Sequence, residues 1–213
     1  MLYVRFPRSL SNEEDLLHES GVDVSYESVR CRWHRFGSQF ASEIKKRRAG
    51  GLQSSNWKRH LDEVFVKING ERHYLWRAVD HEGEVLESYV TKKRDKKAAL
   101  KFMKKAMRRY GSPNEIVTDR LRSYSAALNE LGCTDKQVTQ RWANNRAENS
   151  HLPFRRRGRA MLRFRRMHSL QKFASIHASF HNPFNSQRSL STRSTFKLNR
   201  DAALTEWRSF NAS

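Results

Sequence analysis

The sequence predicts an α/β fold in which a mixed five-stranded sheet is flanked by helices and preceded by a small helical module. Three observations predict it. Residues 60–92 hold three strand-like stretches in immediate succession, separated only by turn signals. Beyond them, helical and short apolar stretches alternate, giving the order βββαβαβα, the pattern of an α/β sandwich with a mixed sheet. Upstream of residue 45 the apolar spacing is helical.

The first helix is expected in "SLSNEEDLLHES", where Ser11 and Glu14 have capping-box spacing, and Gly21 breaks it. Ser25 can cap a second helix, "SYESVRCRWHRFGSQFASEI", on which Val29, Trp33, Phe36 and Phe40 recur every three or four residues as an apolar seam. Arg30, Arg32 and Arg35 lie off that seam. Two helices joined by a short turn, the second one basic, make residues 1–44 a helix-turn-helix candidate, with an ordinary helical hairpin as the alternative. "KKRRAGGLQSSN", residues 45–56, is polar, basic and glycine-containing and reads as a linker.

The main domain, residues 57–185, opens with "HLDEVFVKI", in which Val64, Val66 and Ile68 share one face. Asn69-Gly70 is a strong hairpin signal. "RHYLWRAVD" and "EVLESYVTK" complete a meander, joined near Glu82-Gly83. In "RDKKAALKFMKKAMRRY" a helix places Ala99, Phe102, Met103, Ala106 and Tyr110 on one face, and Gly111 and Pro113 stop it. "NEIVTD" is a short buried strand, "SYSAALNELG" a helix, "KQVTQRW" the last strand, and helix resumes near Asn145. Residues 186–213 read as a basic tail.

Charge narrows the function. The chain has 213 residues, with 42 Lys+Arg against 22 Asp+Glu, a formal charge of +20. That imbalance favours a polyanionic partner, nucleic acid first. From Asn149 to Arg200 there are 12 Lys/Arg and no acid, a one-signed tract suited to phosphates. Phenylalanines and leucines interleave with it, so the tract should fold. A membrane is not an expected partner, since no stretch approaches the ~20 apolar residues needed to span one. Nothing marks export, and Cys31 and Cys133 are far apart, which fits a reducing cytoplasm.

Three carboxylates stand out against this basic background. Asp62 lies in the first strand, Asp119 just past the short fourth strand, and Glu148 at the start of the helix after the last. If the first and fourth strands are neighbours, Asp62 and Asp119 can face each other, and a helix crossing the sheet can bring Glu148 to the same spot. Carboxylates held together repel and need a counter-charge. Mg²⁺ takes oxygen ligands and needs few from the protein, and two such ions suit phosphoryl transfer. Taken singly, each acid reads first as an ion-pair partner or a helix cap; taken together, on these elements in a chain of charge +20, the three read as catalytic.

"HLDEVFVKINGERHYLWRAVD", "IVTDRLRSYSAAL", "RWANNRAENSH" and "FRRRGRAMLRFRRMHSLQKFASIHA" together resemble the DDE transposases of bacterial insertion sequences, specifically insertion-sequence family six, from about residue 9 to the C-terminus. The resemblance implies a ribonuclease-H-like catalytic domain behind a helix-turn-helix. It places Asp62, Asp119 and Glu148 in the catalytic and metal-binding positions, with two Mg²⁺ ions per site and Mn²⁺ as a substitute. It implies strand cleavage and transfer at the terminal inverted repeats of a mobile element, and a homodimer on DNA in the bacterial cytoplasm, at the nucleoid. Arg155, Arg156, Arg157, Arg159, Arg163, Arg165 and Arg166 are then expected to hold the DNA backbone, and Arg30, Arg32 and Arg35 to contact DNA from the N-terminal module.

Three features depart from the family pattern. The interval between Asp119 and Glu148 is 28 residues, short for such enzymes, which reads as a trimmed loop. Gly158 replaces a more usual Glu and is expected to weaken its helix by ~1 kcal/mol relative to Ala. Family members carry a further helical segment upstream, so the N-terminal module is expected to be truncated. A DNA-binding protein without catalysis, derived from a decayed element, and a ribonuclease-H-like nuclease are the competing readings.

Overall fold

The computed structural model describes residues 2–51, 58–140, 142–161, 164–184 and 192–209. Its centre is a five-stranded sheet in the order β3-β2-β1-β4-β5, built from β1 (Lys58–Ile68), β2 (Glu71–Asp80), β3 (Val85–Thr91), β4 (Glu115–Val117) and β5 (Gln137–Val138). The first three strands form the expected antiparallel meander, and β4 and β5 run parallel to β1. This order and direction are those of the ribonuclease-H-like sheet that the resemblance implies.

Local chemistry accounts for the meander. The β1–β2 turn needs two residues with positive φ, and Asn69 (φ 50°) and Gly70 (φ 84°) tolerate it. At the next turn Asp80 Oδ1 accepts the backbone N–H groups of Glu82 and Glu84, both at 2.9 Å.

Helices cover both faces. On one face α4 (Lys96–Tyr110) and α5 (Arg122–Glu130) pack Ala99, Phe102, Met103, Tyr124 and Leu128 against Leu61, Trp76 and Ile116. On the other, α6 (Asn145–Ala160) and α7 (Met167–His181) set Phe154, Leu170 and Phe173 against Val64, Ile68, Leu75 and Val90. Gly158 does not end α6, which continues to Ala160 with Pro153 inside it.

The N-terminal helices depart from expectation in three ways. A short helix, α1 (Leu2–Arg5), comes first. The next, α2 (Leu10–Glu19), is capped by Ser9 with Asn12, not by Ser11 with Glu14, because the Asn12 side chain serves the third helical position as well as Glu would. The third, α3 (Tyr26–Gly51), starts at Ser25 as expected but runs through residues 45–51 of the supposed linker. Lysines and arginines are good helix formers, and the Glu43–Arg47 pair at 2.9 Å sits one turn apart on this stretch. Residues 52–56 of that segment lie outside the described residues. These helices dock on α7, where Val4 and Ala41 meet Ile176 and Phe180 and Ser179 Oγ donates to Ala41 O at 3.4 Å. Within the supposed tail, α8 (Arg193–Ser209) is helical and lays Trp207 against Phe40 and Phe180.

Where α7 faces β2 lies a set of basic groups, His177 and His181 of α7 and Arg77 of β2. Burial, then Arg77, pushes His181 down to about 4, and His177, stacked on it at 5.4 Å between ring centroids, is driven well below its usual 6.5. Both imidazoles are therefore neutral in the fold, and unfolding lets them bind protons below pH 6.5. Their contribution is present above 6.5 and is lost as the pH falls through the folded value, at up to ~1.4 kcal/mol per pH unit per proton. Urea unfolding between pH 7 and pH 4 should show a shallower loss of stability in His181→Gln than in the wild type.

Candidate metal centre at the junction of β1 and β4

The register of the central strands builds the site. His60 of β1 pairs with Val117 of β4 in parallel register, and two residues further along each chain stand Asp62 and Asp119. Here β4 has ended, so the β1 edge is open and the Asp119 side chain can turn toward it. Asp119 Oδ1 accepts the Leu121 N–H at 3.1 Å, which fixes the turn into α5.

A third acid joins these two, and it is Glu63. Asp62, Glu63 and Asp119 each offer a carboxylate oxygen, and the three lie within 4.8 Å of one another. Strand alternation sends Asp62 toward α6 and Glu63 toward α4 and α5. Glu63 is the most buried of them, 3% exposed, and Arg94 Nη2 lies 2.6 Å from its Oε1 and 3.8 Å from Asp119 Oδ2. Burial pushes the Glu63 carboxyl up to about 7, with neighbouring Asp119 and Asp62 adding to the shift and Tyr124 and Arg94 opposing it. Burial also raises Asp119, with Asp62 adding to it. Tyr124, fully buried beside Glu63, is raised well above its usual 10 by burial and then by Glu63.

This donor set suits a hard divalent cation. It is all oxygen, it carries excess negative charge, and the buried Glu63 Oε2 has no hydrogen-bond partner among the described residues. A cation there would offset both the burial that raises these carboxyls and the repulsion that adds to it.

Glu148 is placed differently. It lies in the first turn of α6, exposed, and is not a member of the acidic group. Its position along the helix is nevertheless bracketed. Asn144 Nδ2, four residues before it, donates to Leu61 O at 2.9 Å. His151 Nε2, three residues after it, lies 3.0 Å from Asp62 Oδ2. Arg77, opposite Asp62 in the β1–β2 register, donates to Ser150 O. The stripe Asn144–Glu148–His151 therefore runs along β1 at the level of Asp62, with the Glu148 side chain at its solvent edge. Asn144→Ala should leave the Leu61 carbonyl without its donor and lower the urea-unfolding free energy by about 1–3 kcal/mol.

The predicted basic residues separate into groups. Arg155, Arg156, Arg159, Arg165 and Arg166 are exposed, as are Arg30, Arg32 and Arg35 on α3. Arg157 corrects the expectation. It is 1% exposed, its Nε donates to Tyr3 O at 2.6 Å, and its guanidinium lies 4.3 Å from the Tyr3 ring centroid. The phase of α6 explains this, because Ala147, His151, Phe154 and Arg157 recur every three or four residues on its buried stripe. Arg163 lies outside the described residues. Glu63, Arg94, Arg77 and His151 were not singled out from sequence. The signal available for Glu63 was only its place on the strand face of Leu61, opposite Val64, Val66 and Ile68.

Residues 56–187 match the model of a family described as a DDE domain. The transposase for insertion sequence-like element IS431mec of Staphylococcus aureus is 29% identical over 154 residues, 70% of this chain and 67% of its own. The transposase for insertion sequence element IS257 in transposon Tn4003, also from Staphylococcus aureus, shows the same identity and coverage. Among solved structures, the catalytic domain of Mos1 transposase with raltegravir and Mg has a TM-score of 0.43 and 15% identity, covering 67% of this chain and 80% of that chain. No helix among the described residues is long and apolar enough to cross a membrane.

Proposed function

This chain belongs to the DDE transposases of insertion-sequence family six, and from that premise we propose that it cleaves and joins DNA strands at the inverted-repeat ends of a bacterial insertion sequence. The observation that carries the proposal is the meeting of Asp62 and Asp119 where β1 outruns β4. Asp62, Asp119 and Glu148 are the proposed ligands of two Mg²⁺ ions, with Mn²⁺ as a substitute. When bound, such ions supply Lewis acidity at the phosphodiester and at the attacking oxygen.

The protein's own groups prepare that site. His151 and Arg77 hold the Asp62 side of it, and the Leu121 N–H orients Asp119. Arg94 offsets the charge of Glu63 and Asp119, which lowers the repulsion an incoming phosphate meets. Arg155, Arg156, Arg159, Arg165 and Arg166 are proposed to grip the DNA backbone beside Glu148. Arg30, Arg32 and Arg35 are proposed to contact the terminal repeats. Two copies acting on paired DNA ends and target DNA, in the cytoplasm at the nucleoid, complete the proposal.

The test is nicking of a labelled duplex that carries the element's end. Mg²⁺-dependent cleavage confined to that end, and abolished by chelation, is expected. Equal cleavage of unrelated duplexes or of RNA–DNA hybrids would favour a ribonuclease-H-like nuclease. Tight binding without metal-dependent cleavage would favour a non-catalytic DNA-binding protein.

A further inference from the structure

A second concentration of charge lies away from the carboxylates, in a groove of about 260 Å³ between α3, α4, α7 and the edge strand β3. At its floor is Glu87, 1% exposed. Both its oxygens are engaged, Oε1 by the Ser88 N–H at 3.1 Å and Lys105 Nζ at 3.3 Å, Oε2 by Arg109 Nη1 at 3.3 Å. Lys45, on the stretch of α3 that continues past the predicted helix end, lines the same groove, and its ammonium makes no hydrogen bond or ion pair among the described residues. Lys172 stands at the rim, donating to His34 O at 3.0 Å. Four cations thus line a groove whose one carboxylate is already engaged by two of them. Burial pushes the Lys45 ammonium below its usual 10.5, and Arg109 and Lys105 push it further against the pull of Glu87. The cluster is short of negative charge.

We propose that this groove seats a backbone phosphodiester of DNA, as an anchoring site separate from the carboxylates, a proposal that rests on the reading of the chain as a DNA-acting enzyme. The chemistry fits an anion with several acceptor oxygens. Arg109 offers a planar fork, Lys45 and Lys105 offer point charges, and Ser42 and Ser175 add hydroxyls at the wall. Position favours DNA over a free anion. Lys45 lies on the same helix as the exposed Arg30, Arg32 and Arg35. The ten residues from Arg35 to Lys45 span ~15 Å of helix. One DNA strand carries a charge every ~3.4 Å of axis, so that span covers about four phosphates. β3 is two strands from β1, so roughly 10 Å of sheet separates this groove from the carboxylate site.

The experiment measures affinity for a duplex by fluorescence anisotropy, without metal, across a range of salt concentrations, for wild type, Lys45→Gln, Lys45→Arg, Lys172→Gln and Glu87→Gln. Lys45→Gln should weaken binding and lower the log–log salt slope by about 1, while Lys45→Arg keeps it. Lys172→Gln, which leaves the buried carboxylate untouched, should lower the slope in the same way. Glu87→Gln removes the acid that competes with phosphate and should tighten binding. Mg²⁺-dependent nicking at saturating DNA should be unchanged in Lys45→Gln and Lys172→Gln. If wild type binds and nicks DNA but the lysine variants match its slope, this site is wrong and the proposed function stands. If the wild type does not bind DNA, both fail. If inorganic phosphate raises the melting temperature of wild type but not of Lys45→Gln, while the DNA slope is common to all variants, the groove takes a free anion and the DNA proposal is overturned. Glu87→Gln that lowers both stability and affinity would mark the cluster as a purely structural ion-pair network and overturn it as well.

Discussion

Glu148→Gln is expected to reduce Mg²⁺-dependent nicking by about 10³-fold while leaving metal-free DNA affinity unchanged or slightly higher. A metal ligand contributes several kcal/mol of transition-state charge stabilisation, and each ~1.4 kcal/mol is tenfold in rate. Glutamine keeps the shape and removes the charge. Because the Glu148 side chain is exposed, its replacement leaves no buried polar group and should not change the unfolding free energy by more than ~0.5 kcal/mol. Paired gel-shift, nicking and urea-unfolding measurements check all three statements. Loss of binding in step with loss of cleavage would make Glu148 a charge partner of the neighbouring arginines and remove it from the proposed catalytic set.

Trp76→Ala should have the largest effect on stability, about 3–5 kcal/mol, against a total of ~5–15 kcal/mol for a typical domain. Trp76 is fully buried between Phe102 and Tyr124, with ring centroids 6.0 and 5.5 Å away, and its indole N–H donates to Thr91 Oγ1 at 2.8 Å. Removing it opens a cavity, takes one donor from Thr91 Oγ1, which keeps its bond to Lys93 O, and loosens Tyr124, which packs against Glu63. Thermal unfolding should show the loss directly, and nicking should fall even below the melting temperature. Trp76→Phe, which fills most of the space, should fall between the two.

The parts legible in the sequence were those with short-range causes. Asn69-Gly70, the β1 alternation and the apolar face of α4 each follow from residues within a few positions of one another, and each is observed. The adjacency of β1 and β4 was a condition that only the ribonuclease-H-like resemblance supplied; it is observed, and it brings Asp62 to Asp119. What was not legible depends on contacts between distant segments. Glu63 is tolerated on an apolar face only because Arg94 and Tyr124 arrive from other elements. Arg157 belongs by sequence to the one-signed tract expected to hold the DNA backbone, yet the phase of α6 turns it inward onto the backbone of Tyr3. Residues 45–51 were read as a linker from their glycines, a local cost of ~1 kcal/mol each. The α3–α7 packing just upstream, around Ala41, makes continued helix the better outcome.

Asp62, Asp119 and Glu148 are proposed to form one metal centre, although Glu148 stands apart from the group made by Asp62, Glu63 and Asp119. Anomalous diffraction from crystals of the protein bound to an end-containing duplex and soaked in Mn²⁺ tests it most directly. Manganese density is expected in contact with the carboxylates of Asp62 and Asp119, with Glu148 drawn in as a further ligand and Glu63 still paired with Arg94. Density held by Asp62, Glu63 and Asp119 with Glu148 left in solvent, or no density at the β1–β4 junction, would contradict it.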